Sequence, residues 1–215
     1  MNVRGMLIGL VCLTMVSVAL AGCLNLSKSY PEKRSFILDV AGEPREPAPD
    51  AAMVLKISKI RVSPMFAGRA MVYRIGELQY ENDFYNEWLV SPSVLVTQQF
   101  QGWLSKSNRF RFVLTGSNHI EPTHLLEGSV SEFYGDYRSA GSSKAVLGME
   151  LHLVDETSEE KITFRRTYHR EVPLTDRTPE ALAGGLSQAV RLVLVDLEQE
   201  LAAVDVKSAT PSSSP

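Results

Sequence analysis

Leu147-Gly148-Met149-Glu150-Leu151-His152-Leu153 alternates large apolar side chains with glycine, a carboxylate and an imidazole. A period of two is the signature of a strand with one buried face. A charged connection over residues 155–160 follows, and the chain returns as a second strand over 161–172. Two such runs around a short polar turn predict a β-hairpin. On the N-terminal side, residues 124–138 read as a longer strand whose alternation is disturbed around Glu132-Phe133, and 139–143 as a turn. Before that come a loop over 116–121 and a strand over 110–114.

Two helices flank these strands. Ser91-Pro92 fits an N-cap followed by proline at the first helical position. Val96, Phe100, Trp103 and Leu104 then fall at i, i+4, i+7 and i+8, and the stripe ends near 105–108. Thr178-Pro179-Glu180 opens the second helix, with a stripe of Leu182, Leu186, Val190, Val193, Leu197 and Leu201. Leu192, Leu194 and Val195 widen that stripe, so the middle of the helix is expected to be largely buried. Gly184-Gly185 within it suggests close packing. The Ser/Pro/Thr-rich tail, 207–215, has the composition of disorder.

The first half of the chain is more broken. Residues 34–40 read as a strand with Phe36 and Leu38 on one face, and 41–50, with Gly42, Pro44, Pro47 and Pro49, as a loop. Residues 53–62 read as a strand whose apolar phase shifts from Leu55 and Ile57 to Ile60 and Val62, which predicts a bulge near Lys59. Short strands over 70–74 and 78–80 surround Gly76. These elements make one α+β domain: an antiparallel-rich sheet with two main helices packed on one face. The expected boundaries are 34–206 for the domain, 23–33 for a tether, and 207–215 for the tail.

The N-terminus carries a different signal. Arg4 is the only charge before a mostly apolar run from Met6 to Leu20, which ends in Leu20-Ala21-Gly22-Cys23. A short basic region, an apolar core and a small-residue cleavage site describe a secretory signal. A membrane span needs about 20 apolar residues, and this run is shorter. The final tetrapeptide is a lipobox, so residues 1–22 are expected to be cleaved and Cys23 to receive diacylglycerol and an acyl chain such as palmitate. Cys12 leaves with the signal and Cys23 is consumed by lipid, so the exported domain keeps no thiol for a disulfide, a metal or catalysis.

The chain has 22 Lys+Arg against 25 Asp+Glu, a formal −3, and loss of Arg4 leaves 21 against 25, or −4. That balance argues against a nucleic-acid partner. Neither metal-ligand spacing nor a nucleophile elbow is present, and the four histidines, His119, His124, His152 and His169, form no i, i+4 pair around a glutamate. No catalytic residue, metal site or cofactor is expected beyond the covalent lipid on Cys23. His152 and His169 could approach across the hairpin near Glu150. Arg165, Arg166 and Arg170 form one basic cluster, with Arg166 and Arg170 on one strand face and Arg165 on the other, read as a solvated sheet face paired with Glu150 and Glu171, or as a patch for a headgroup or carboxylate.

One group of residues stands apart. Met65, Phe66 and Met71 lie around a turn, and Phe84, Tyr85 and Trp88 precede the first helix. Exposed, they would mark a protein or lipid contact. Folded inward, they would close one end of the core.

Residues 60–69, Met71-Val72-Tyr73-Arg74 and Phe84-Tyr85-Asn86-Glu87-Trp88 resemble the central signature of the ABC-type transport auxiliary lipoproteins, the PqiC/YmbA-like family. The opening Phe36-Ile37-Leu38 and the closing hairpin and apolar helix fit as well. The chain departs from many members at Phe66-Ala67-Gly68 and at Leu89-Val90-Ser91, which leaves the subfamily open. The resemblance implies a non-enzymatic accessory of an MCE-type ABC transport system that moves lipids or hydrophobic molecules across the periplasm. Its implied partners are a periplasmic MCE-domain protein and the associated permease and ATPase, besides the membrane through the lipid, with a homo-oligomer possible. Leu24 rather than aspartate after Cys23 favours the periplasmic face of the outer membrane. A structural or assembly lipoprotein without a transporter would share the same features.

Overall fold

The structure is a computed structural model that describes residues 32–40, 53–107, 109–114, 116, 120–139, 141–157 and 162–208, with side chains as far as Leu201. The predicted signal, Cys23, most of the tether and residues 209–215 lie outside the described residues. The hairpin that the alternation predicts is β8 (Lys144–Asp155) and β9 (Ile162–Pro173), and β7 (His124–Asp136) adds a third antiparallel strand. On β8, Ala145, Leu147, Met149, Leu151 and Leu153 are all buried on one face. Helix α2 (Pro179–Ser208) lies on that face, with Leu182, Leu186, Val190, Val193 and Leu197 fully buried. Fully burying a side chain of this kind contributes roughly 1.5–3 kcal/mol, so this helix–sheet layer is the main source of stability.

The second edge of β7 is built in series from three short parallel strands. β2 (Met53–Ile57) pairs at His124–Leu126, β3 (Arg61–Val62) at Ser129–Val130, and β4 (Ala70–Arg74) at Gly135–Asp136. β6 (Phe110–Leu114) extends the sheet beyond β2. β5 (Tyr80–Trp88) pairs antiparallel with β4, and β1 (Arg34–Phe36) lies parallel to β5. The longest ladders are antiparallel, and the junctions along this edge are parallel. Helix α1 (Pro92–Leu104) packs against α2, β3 and β6.

Each local irregularity has a cause. The phase shift near Lys59 is the break where the chain passes from β2 to β3. There the Ile60 N–H donates to Thr97 Oγ1 (3.0 Å) and the Ile60 carbonyl accepts the Ser93 hydroxyl, so α1 holds the break. The disturbance at Glu132 is a bulge between Val130 and Glu132. Opposite it sits Gly148, where an added Cβ would meet Glu132 Oε2 at 2.6 Å and Ser131 Oγ at 2.9 Å.

Other sequence expectations need correction too: the bulged strand expected over 53–62 is two strands with a break between them, and the strand expected over 78–80 is instead the nine-residue β5. Only Arg34–Phe36 of the first run is strand. The Leu38 carbonyl and Val40 N–H bond to the Gln99 side-chain amide at 2.9 and 3.0 Å, and the Asp39 N–H donates to Ser187 Oγ at 3.1 Å. Helix side chains thus replace the partner strand that this segment lacks. Ser91 caps α1 without its hydroxyl: its carbonyl accepts the N–H groups of Val94 and Leu95, whereas Thr178 Oγ1 accepts the Ala181 N–H at 3.2 Å. Finally, α2 runs to Ser208, past the expected start of the tail at 207.

Candidate functional site

The six apolar contact candidates divide evenly. Phe66 is 4% exposed, stacked on Tyr134 at 5.5 Å and edge-on to Tyr80 at 6.2 Å. Met71 is fully buried and Trp88 tilts over Phe133 at 5.4 Å. These three fill the core, so they are unavailable to a partner. Met65, Phe84 and Tyr85 are 61%, 71% and 37% exposed.

Phe84 and Tyr85 reach solvent because β5 is deformed around them. The β4–β5 register passes from Val72↔Asn82 to Ala70↔Glu87, so residues 83–86 all oppose Met71. An excess of residues on one strand leaves backbone groups without ladder partners and bends the strand outward. Asp83 supplies the missing acceptor. Its Oδ1 accepts the N–H groups of Tyr85 and Asn86, both at 2.9 Å, and its Oδ2 accepts the Tyr73 hydroxyl and Asn86 Nδ2, both at 2.8 Å. Asn86 is 9% exposed, and its Oδ1 accepts Arg34 Nε from β1 at 2.9 Å. Arg34 continues to Glu180 in the first turn of α2 at 2.6 Å.

The electrostatics follow this network. Burial opposes ionisation of Asp83, but the donors from Asn86, Tyr73 and the backbone outweigh it and hold the carboxyl below its usual range. Burial, then the hydrogen bond to Asp83, raises the Tyr73 phenol, which stays a neutral donor. Tyr73 stacks on Tyr137 at 4.9 Å, and burial pushes Tyr137 up to about 12. On the outer side, the rings of Phe84 and Tyr85 meet edge to face at 5.0 Å, and Lys33 Nζ lies 5.1 Å above the Phe84 ring. The result is a rigid polar base that presents two aromatic rings and one cation.

The remaining candidates form no chemical site. His152 approaches Glu150 at 3.5 Å and His169 approaches Glu132 at 3.2 Å. His169 is in register with Gly148, four residues along β8 from His152, so the two imidazoles do not meet. His124 Nδ1 lies 2.9 Å from Thr123 Oγ1, and His119 lies outside the described residues. Among the described residues, no three His, Cys, Asp or Glu are placed to hold a metal. The arginine cluster is divided by the pleat. Arg165 pairs with Glu150 at 2.5 Å on the open face. Arg166 pairs with Glu200 at 3.3 Å and Arg170 with Asp196, both on α2, rather than with a solvated face. An open groove between α2 and the segment that follows β1 is lined by Ile37, Asp39, Ala183, Gly184, Ser187 and Arg191.

Against known proteins, residues 36–198 match a family described as the ABC-type transport auxiliary lipoprotein component. The chain belongs to this family. The match starts at Phe36, the last residue of β1, runs into α2, and takes in β2 to β9 of the auxiliary lipoprotein's sheet whole. A crystal structure of a protein from Xanthomonas campestris superposes with a TM-score of 0.71 at 15% identity, covering 82% of this chain and 98% of that one. A second crystal structure, of an uncharacterised protein, gives 0.63 at 18% identity, covering 79% and 99%. At such identities the likeness is one of fold. No curated protein matches the sequence. Among the described residues, no helix is long and apolar enough to cross a membrane.

Proposed function

We propose that this auxiliary lipoprotein is a non-enzymatic docking subunit of an MCE-type ABC transport system that moves lipids or other hydrophobic molecules across the periplasm. It is held on the periplasmic face of the outer membrane by lipid on Cys23. Its partners in this reading are the periplasmic MCE-domain protein and, through it, the permease and ATPase. The carrying observation is the family match over residues 36–198, joined to the lipobox at Leu20-Ala21-Gly22-Cys23. The structure supports a docking role by the large apolar side chains that stand exposed among its described residues, Met65, Phe84 and Tyr85 among them.

Copurification of the native lipoprotein from its own membranes tests the reading. The expected result is recovery of an MCE-domain protein, with loss of envelope integrity when the lipoprotein is deleted. Recovery of outer-membrane assembly components in place of any MCE protein would favour an assembly lipoprotein. Recovery of neither, with an intact envelope on deletion, would overturn the proposal.

A further inference from the structure

We infer that the Asp83-built bulge is a membrane-contact element: Phe84 and Tyr85 seat in the headgroup–acyl boundary of the leaflet that holds the Cys23 lipid. This inference rests on lipidation of Cys23 and goes beyond the docking role.

The bulge is built to present its rings. Four hydrogen bonds converge on Asp83, and their joint effect is to keep residues 84 and 85 out of the ladder. An ordinary strand continuation would turn alternate residues inward. The sequence instead maintains a buried Asn86 and a neutral Tyr73 to hold two large rings outside. Two adjacent exposed rings held out by a hydrogen-bonded base suit an apolar or amphipathic surface.

The chemistry of the tip selects the bilayer boundary. That zone favours aromatic rings with a polar end, such as tyrosine, beside cations that reach back to water. Tyr85 brings a phenol, Phe84 a fully apolar ring, and Lys33 an ammonium stacked on Phe84 at 5.1 Å.

Position along the chain identifies which bilayer. Lys33, the residue over the Phe84 ring, stands immediately before β1, and β1 pairs with the end of the bulge at Arg34↔Asn86. Nine residues, 24–32, separate Lys33 from Cys23. Fully extended, the ten residue steps from Cys23 to Lys33 span at most about 36 Å. The chain that leads from Cys23 therefore enters the folded domain at Lys33, beside these two rings. A tether this short holds the bulge near the membrane at an effective concentration on the order of millimolar. A contact of two side chains, too weak to recruit a free protein, is sufficient to orient an anchored one.

Brominated phospholipids test the contact in the mature, lipidated full-length protein. The protein is reconstituted in vesicles of phosphatidylethanolamine and phosphatidylglycerol brominated near the top of the acyl chain. Phe84→Trp places a probe at the bulge. Ile162→Trp places a control at the start of β9, 65% exposed and across the sheet from β5. Buried Trp88 and Trp103 are common to both, and the parent protein's emission is subtracted. The expected result is quenching of the added emission at least threefold greater at position 84 than at 162. Co-flotation with equal or absent quenching at both positions would overturn the inference and leave the anchor intact. Failure to float with the vesicles would overturn the anchor and the inference with it. A position-84 probe that is shielded from bromine but shifts to the blue with protein density would assign the rings to a second copy instead, and would also overturn it.

Discussion

Asp83 shows how one side chain can decide a local shape. It accepts two backbone N–H groups, a phenol and a carboxamide, all at 2.8–2.9 Å, and no other described side chain replaces it. Asp83→Ala leaves those donors without their acceptor in a partly buried place, where each orphaned group costs about 1–3 kcal/mol before relaxation and water entry. The expected loss is about 2–3 kcal/mol by urea denaturation at pH 7. A loss below 0.5 kcal/mol would show that the bulge holds without it. The folded-state pKa of Asp83 lies below the unfolded value, so its stabilising effect is complete above the unfolded pKa of about 4 and fades as pH falls through the folded one. Between pH 5 and 3 the parent should therefore lose more stability than the alanine variant. Parallel curves would remove Asp83 from the acid response. The aromatics were visible in the sequence as a group. Their division was not, because Asp83 accepts the Tyr73 hydroxyl, and Asn86 Oδ1 accepts Arg34 Nε, only once β4 and β1 lie beside them. An aspartate three residues before an asparagine was the signal available for a turn.

At the scale of elements, the glycine pair in α2 separates packing from propensity. Gly185 faces the sheet, and an added Cβ would lie 2.5 Å from Leu174 Cδ2 and 2.8 Å from Ala145 Cβ. Gly184 has nothing within 4 Å of the same position. Close packing was legible in the sequence, but which glycine carried it depended on the side chains of two other elements. Gly185→Ala forces α2 off β8 and is expected to cost about 1–3 kcal/mol. Gly184→Ala improves helix propensity in open space and should stabilise by about 0.5–1 kcal/mol. Thermal unfolding of the pair checks both signs, and a destabilised Gly184→Ala would mean that the groove between α2 and the segment that follows β1 is tighter than its geometry indicates. Helix α2 is also bound to the edge strand by Arg166–Glu200, Arg170–Asp196 and the Tyr168 hydroxyl on Glu200 at 2.7 Å. The sequence showed correctly that Arg166 and Arg170 share a face. It could not show that the face was the helix-covered one, since an alternating pattern fixes phase and leaves the direction open.

For the whole molecule, what the sequence made legible was local. The β8–β9 hairpin, both helices and the bulged β7 follow from periodicities within a dozen residues of each other. The second edge of β7, assembled from β2, β3 and β4, was not legible, because three parallel pairings each rest on two or three residues and on connections through other elements. The proposed lipid attachment is the reverse case: it rests on a four-residue motif at Leu20-Ala21-Gly22-Cys23, outside the described residues. Cys23→Ala isolates its contribution. Acyl chains contribute about 0.8 kcal/mol per buried methylene, and even one fourteen-carbon chain gives only marginal, reversible binding. Phe84 and Tyr85 together offer less apolar surface than that chain and bury it only to the headgroup boundary. The aromatic contact can therefore orient the domain but cannot hold it on a membrane at micromolar concentration. The Cys23→Ala protein is expected to leave the membrane fraction or to mislocalise, with the circular dichroism and unfolding curve of the parent domain. Retention at the parent level, in a protein that folds normally, would show that Cys23 is not the anchor and that some other surface of the domain binds the membrane.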